Sequence, residues 1–373
     1  MTTKKNGLTA AFGIGLRRLD DPVWLIEDHL ELGDMAALVG RRGSGKSFAA
    51  IDMACSVAAG TEWAGMSTTA RPVVYAAGEG VRGVYERIAS WCASRGINPD
   101  DLPLTVIDHG IPLHESTGRS QLRNYLEQAK NHYGDPVGLV VLDTWSRFCA
   151  GLDENSASEV NVFLEAIAEL QREGPTTFLW VAHPAKGTEG REQTIRGSGA
   201  SEAAMEWVYA LIDEEDTHDA ASGVRLQFTV ACTKSKNHGE PADLRFQAFE
   251  QDYEFDFGKV ERSGSSLVLQ VQSDFLSNAF LRLQPRPLMR AIEATQAIME
   301  NQDISKREAG LTDTKATARL CKVVREFIRS RRPETAVPAR PTTFNDFKEL
   351  LRIDGQLVLS GMYEARDQLK EDF

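Results

Sequence analysis

Two short stretches hold residue types that could do chemistry together. GRRGSGKS spans Gly40–Ser47, and VGLVVLDTWSRF spans Val137–Phe148. The first fits GxxxxGK[ST] in full through Gly40, Gly45, Lys46 and Ser47, with an additional Gly43. Glycines let backbone N–H groups turn toward phosphate oxygens, and a helix opening there adds the positive end of its dipole. The lysine is a point charge for the β- and γ-phosphates, and the serine hydroxyl can ligate magnesium. Gly40, Arg41, Arg42, Gly43, Ser44, Gly45, Lys46, Ser47 and Phe48 are therefore the candidate ATP-binding residues. Asp143 closes the apolar run of the second stretch and joins Ser47 as the candidate Mg2+ ligand. Singly these are a glycine-rich turn and an acid at a strand end. Their order along the chain is what favours a nucleotide.

Many ATPases place a Glu directly after that Asp, to prepare the attacking water. Here the place holds Thr144. An earlier run, PVVYAAGEG, ends in Glu79. In a parallel sheet its end lies on the same ligand edge, so Glu79 is the candidate general base and a solvated loop Glu is the alternative. Glu86 is poorer, because it falls a turn or more inside the next helix. His183 closes TTFLWVAHP, where a polar tip can touch the γ-phosphate or merely cap the strand. His109, His114, His132, His218 and His238 read as ordinary loop and helix residues.

These groups need a scaffold that brings strand ends together. Apolar runs alternate with helical periods from Asp34 to about Ile212. The pattern predicts strands at Met35–Val39, Val73–Ala76, Leu104–Ile107, Val137–Leu142 and Thr176–Ala182. Helices are predicted at Lys46–Ala59, Val81–Ser94, Arg119–His132 and Glu159–Glu173. Continuous apolar strands alternating with helices mean a parallel sheet covered on both faces. From Trp207 to Val271 the rhythm becomes strands and turns: WVYALI, VRLQFTVACT, LRFQAFE, YEFDF and SSLVLQV, read as antiparallel additions at one edge. QPRPL then reads as a linker. The expected division is an arm at 1–30, a core at 31–283 and a helical region at 284–373. Gly13 and Gly15 in the arm read as a plain loop.

The chain has 373 residues, 42% hydrophobic, with a net charge of −12, which argues against coating nucleic acid by bulk charge. The charge is uneven: residues 285–373 carry 16 basic and 14 acidic side chains. Cys55, Cys92, Cys149, Cys232 and Cys321 are scattered and form no CxxC or Cys/His cluster, as for reduced thiols in a cytoplasm. Lys4, Lys5, Arg17 and Arg18 stand near the start without an apolar core of signal-peptide length. No apolar run approaches the roughly 20 residues of a membrane span.

Three longer stretches together carry a family likeness: VVLDTWSRFCAGLDENSASEV, FLWVAHPAKG and IRGSGASEAAMEWVYAL. With GEG ahead of them, they resemble RepA-type replicative helicases of plasmids and related RecA-like ATPases of bacteriophages, over about residues 20–250. The resemblance implies an α/β RecA-like P-loop core, with Glu79 as the base after the second strand. It also implies a homo-oligomeric ring, most often a hexamer, moving on single-stranded DNA at the expense of ATP. A bacterial cytoplasm and a phage or plasmid origin would go with it. In such rings a cation from the neighbour completes the site. Arg196 in IRGSG, and Lys234 and Lys236 in TKSKNHG, are the candidates, against plain solvated charges. The loop PAKGTEGREQTIRG, Pro184–Gly197, stands where such rings touch DNA, so Lys186 and Arg191, with Arg147 nearby, are candidate phosphate contacts. A mobile surface loop is the alternative. The arm is too short for a separate N-terminal domain of the DnaB kind.

Residues 315–332 form an amphipathic helix, with Leu320, Val323, Val324, Phe327 and Ile328 on one face and Lys315, Arg319, Lys322 and Arg329 on another. With DISKREAGLTD before it, a DNA-reading helix-turn-helix is one reading. A helical cap packed on the core is the favoured one. PETAVPARP, from Pro333, splits this tail. Two other functions stay open: a RecA-like recombination or loading ATPase that binds DNA without unwinding it, and a P-loop switch without DNA. The acidic balance favours the last.

Overall fold

In the computed structural model, residues 22–213, 223–241, 243–256, 261–272, 285–301, 303–331 and 343–371 are described. The arm's Gly13, Gly15 and basic residues, His218 and PETAVPARP fall outside them.

The apolar runs become one nine-stranded sheet. After a short ribbon of β1 (Trp24–Ile26) and β2 (Leu30–Glu31) come β3 (Met35–Val39), β4 (Val73–Ala77), β5 (Leu104–Ile107), β6 (Leu139–Asp143), β7 (Thr177–Ala182) and β8 (Trp207–Asp213). Then follow β9 (Val224–Ser235), β10 (Leu244–Asp256) and β11 (Glu261–Val271). The order across the sheet is β11-β10-β9-β8-β3-β7-β6-β4-β5. From β8 to β5 every pairing is parallel. From β8 outward to β11 every pairing is antiparallel. LRFQAFE and YEFDF, expected as two strands, are the single strand β10, which pairs with β11 from Phe246 to Asp256.

Helices α1 (Lys46–Ala59), α2 (Val81–Arg95), α3 (Ser116–Tyr133), the turn α4 (Trp145–Phe148), α5 (Ala157–Glu173) and α6 (Gly199–Ala204) fill the connections. Successive strand residues point to opposite faces, so two cores form. Leu38, Tyr75, Val141 and Val181 meet α1 and α2 on one face. Val39, Val74, Leu142 and Trp180 meet α3 and α5 on the other. The expected arm at 1–30 includes part of the β1–β2 ribbon. Leu25, Ile26 and Leu30 of that ribbon are fully buried in the first core.

Among the described residues, three helices follow: α7 (Pro285–Glu300), α8 (Thr314–Arg331) and α9 (Phe344–Glu371), the last bent at Asp354. QPRPL is not all linker. Pro285 and Pro287 sit in the first turn of α7, where a missing N–H costs nothing. The apolar face of α8 is buried with α7 and α9 in a cluster of their own. The basic side chains Lys315, Arg319, Lys322 and Arg329 lie outside the described ones.

Trp180 shows how the second core reaches the ligand edge. It lies stacked on Trp145 at 4.2 Å and meets Phe163 edge-on at 5.5 Å. Trp145 follows Asp143 by two residues, so this stack fixes the chain where β6 ends. Trp180→Ala should cost about 3–5 kcal/mol in denaturant unfolding, the range for deleting a large buried aromatic. A loss below about 1 kcal/mol would mean that Trp180 is not packed into the core as described.

Candidate nucleotide site

The parallel register sets the site. Val39 pairs with Ala182, Asp143 with Val181, and Ala77 with Asp143, so the ends of β3, β7, β6 and β4 form one row. Gly40–Ser47 follows β3, and α1 begins at Lys46. Gly45 turns the chain into the helix at φ 89, and a Cβ there would come within 2.6 Å of the Phe228 ring. Strand β9 is thus the floor of the loop, and only glycine fits both the angle and the gap.

Lys46 is 6% exposed, and its ammonium donates to the Gly40 carbonyl at 2.7 Å and the Arg41 carbonyl at 2.5 Å. Burial pushes its pKa down to about 8, while Asp143 and Asp213 pull it back up. The Ser44 hydroxyl is buried without a partner among the described residues, as fits a loop whose polar groups face phosphate oxygens. Ser47 and Phe48 are half-buried, with the Arg87 guanidinium 4.6 Å over the Phe48 ring. Arg42 and Gly43 are exposed, and Arg41 forms an ion pair with Glu189.

Asp143 is 7% exposed, and Tyr75 donates to it at 2.6 Å. The tyrosine proton stays in place, because burial and the facing carboxylate raise its pKa well above the ordinary value. The Asp143 carboxylate and the Ser47 hydroxyl are hard oxygens, the donor type that magnesium takes. Glu79 stands just past β4, where the Gly78 amide donates to the Asp143 carbonyl at 2.7 Å. The two carboxylates therefore rise from adjacent strands. His183, next after β7, lies between them and the loop. Burial lowers its pKa, as do Lys46 and Arg196, while a bond to Gly40 and the charge of Glu79 oppose them.

Several candidates fall in other places than the sequence indicates. Arg196 makes its contacts within its own chain. Its amide donates to the His183 carbonyl at 2.9 Å, and its guanidinium pairs with Glu154 at 2.8 Å. Lys234 and Lys236 are at the far end of the sheet. Lys234 pairs in register with Val208, and Ala37 pairs with Val208 from the other side, so β9 runs away from the loop. Its ammonium donates to the Glu202 carbonyl at 2.5 Å, and Lys236 pairs with Glu206 at 3.3 Å.

The Pro184–Gly197 loop is folded rather than open. Pro184 bridges Ile195, and the Gln193 amide donates to the Leu211 carbonyl at 3.0 Å. Arg191, expected to meet DNA phosphate, is neutralised by Asp243 at 2.6 Å and Glu240 at 3.7 Å. Lys186 is exposed. Arg147, the third expected phosphate contact, pairs with Glu79 at 2.6 Å.

Sequence reading missed Tyr75, Glu154 and Asp213. Tyr75 carried a signal, since a tyrosine in an otherwise apolar buried strand needs a partner for its hydroxyl. Asp213 ends β8 beside the loop, where partial burial raises its pKa against Lys46 and Arg41. Nothing local marks it or Glu154.

Residues 8–189 match the family model described as AAA domain. This segment is similar to P-loop ATPase domains of that class, which implies nucleotide binding with Mg2+. It holds the loop, Glu79, Asp143 and His183, and stops short of Arg196, Lys234 and Lys236. No curated protein matches the chain.

The lowered pKa of Lys46 predicts a pH dependence. Below about 8 the free chain already carries the charge that phosphate needs. Above it, binding must first take up a proton, since phosphate restores the lysine's affinity for one. ATP affinity should therefore hold up to that point and fall by as much as about tenfold per pH unit beyond it. Lys46→Arg stays charged and should lose this fall. Binding titrations across the range check both, and an affinity that stays flat for about two units above the midpoint contradicts the assignment.

Proposed function

We propose that the chain hydrolyses ATP as a motor on single-stranded DNA, in a ring of its own copies, most simply a hexamer of helicase type. The single observation that carries ATP hydrolysis is the pairing of Glu79 and Asp143 at adjacent strand ends beside the phosphate loop. One carboxylate is buried and held by Tyr75, as suits a metal ligand. The other is exposed on a loop, as suits a group that must meet water.

The roles divide as follows. The loop amides, the N-terminus of α1 and Lys46 bind and orient the triphosphate. Ser47 and Asp143 would hold magnesium, which when bound neutralises charge on the β- and γ-phosphates. Glu79 takes the proton of the attacking water and sets its line of approach. His183, beside Lys46 and Glu79, reports the γ-phosphate. Arg196, tied to His183 and Glu154, serves its own chain's site.

Support for the ring comes from the position of Lys234 and Lys236. They stand at least about 10 Å along the sheet from their own loop, at the usual rise per strand residue. Cations there serve a neighbouring copy or none. Support for DNA comes from the RepA-like stretches and exposed Lys186. The folded Pro184–Gly197 loop and the neutralised Arg191 favour a second reading, a nucleotide switch without DNA. Turnover with and without single-stranded DNA separates the two. No helix among the described residues is long and apolar enough to cross a membrane.

Glu79→Gln should keep ATP binding and lose about 100-fold or more in turnover, as expected for loss of a general base. Turnover at the parent rate would place the base elsewhere.

A second experiment addresses the ring. The double variant Lys234→Ala, Lys236→Ala should bind ATP and turn it over poorly. Mixed with Lys46→Ala, it should regain activity, because some interfaces then join an intact loop to an intact cation pair. Mixed assemblies that form and stay inactive would refute action across the interface.

A further inference from the structure

Glu79 does not stand alone on its loop. Arg147 donates from Nη2 at 2.6 Å and from Nε at 3.2 Å, both to Glu79 Oε2. The clamp has a built seat. A Cβ on Gly78 would come within 2.5 Å of Arg147 Cβ, and one on Gly110 within 2.9 Å of the Arg147 carbonyl oxygen. The loops after β4 and β5 thus close on Arg147, and its backbone is fixed while its side chain is 56% exposed. The loop after β5, which lies beyond β4 from the phosphate loop, packs against the Arg147 backbone. The guanidinium is as exposed as the Glu79 carboxylate, so an anion arriving from solvent can reach it.

We infer that Arg147 is a removable clamp on Glu79, released when a phosphodiester of single-stranded nucleic acid takes over its guanidinium. This rests on the reading of Glu79 as the base. A planar guanidinium fork fits phosphate as well as carboxylate, so one anion can replace the other. While the clamp is closed, two N–H groups hold the carboxylate toward the loop after β6. Once it opens, the carboxylate turns to the water it must deprotonate. Arg147 acts on turnover through Glu79 and is a positioning residue. The clamp is half-exposed and so a weak one, and its release is worth a modest factor, about two- to fivefold.

The test measures ATP turnover of the full chain against ATP concentration, with and without an oligothymidylate strand. Wild type should be slow alone and faster with the strand. Arg147→Ala should turn over about two- to fivefold faster than wild type without the strand. Its KM for ATP should be unchanged, and the strand should add nothing. Arg147→Lys, a charge without the fork, should fall between them. Thermal melting shows whether each variant folds, and Arg147→Gln replaces Arg147→Ala if the latter does not. Variants at or below the wild-type basal rate, or still stimulated as wild type is, overturn the clamp. So does a wild type that hydrolyses ATP and ignores the strand. A wild type without ATP turnover overturns the reading of the site itself, and the clamp falls with it.

Discussion

In-register parallel pairing of β3, β7, β6 and β4 is the constraint from which the rest follows. Parallel strands end together only if their pairing does not slip, and a slip by one residue would turn each side chain to the opposite face. Here Leu38, Val181, Asp143 and Ala77 fall in one row, with Val39 and Ala182 one residue further along. Neighbouring strands lie about 4.8 Å apart. Asp143 is thus two strand widths from the loop strand and Glu79 three. The nearer carboxylate can share a cation with Ser47, and the farther one reaches inward from a loop. His183 occupies the strand between and therefore feels both sides.

Burial then decides what each charge can do. Lys46 and Asp143 are both removed from water, and each is given polar partners: two loop carbonyls for the ammonium, a tyrosine hydroxyl for the carboxylate. An unpartnered charge at such depth would be costly. Glu79, Arg147, Arg41 and Glu189 stay in solvent contact, where ion pairs are weak and exchange readily. The site has a fixed interior and a labile rim.

Much of the scaffold was legible in the sequence. Strands β3 and β5 and helix α1 have their predicted ends, because their apolar runs are bounded by turn-forming residues. The phosphate loop needed only local spacing. What escaped depends on distant partners. Tyr75 meets Asp143 across 68 residues, and Arg191 meets Asp243 across 52. No local pattern reports such pairs. The positions of Lys234 and Lys236 were half legible. A strand returning antiparallel beside β8 must carry its last residues back to the foot of the sheet, away from the phosphate loop. The Pro184–Gly197 loop misled because glycine and charge are shared by open loops and tightly folded ones.

Strand β9 makes one more connection. Near its start, Phe228 lies beneath Gly45 and stacks with Phe246 at 5.7 Å. Near its end stand Lys234 and Lys236. Between them the strand is bonded to β8 on one side and in part to β10 on the other, so it does not bend easily. Its twelve residues span about 40 Å at the usual rise. The phosphate loop and the two lysines thus stand on one continuous run of chain, with the loop's floor and the distant charges sharing a single strand.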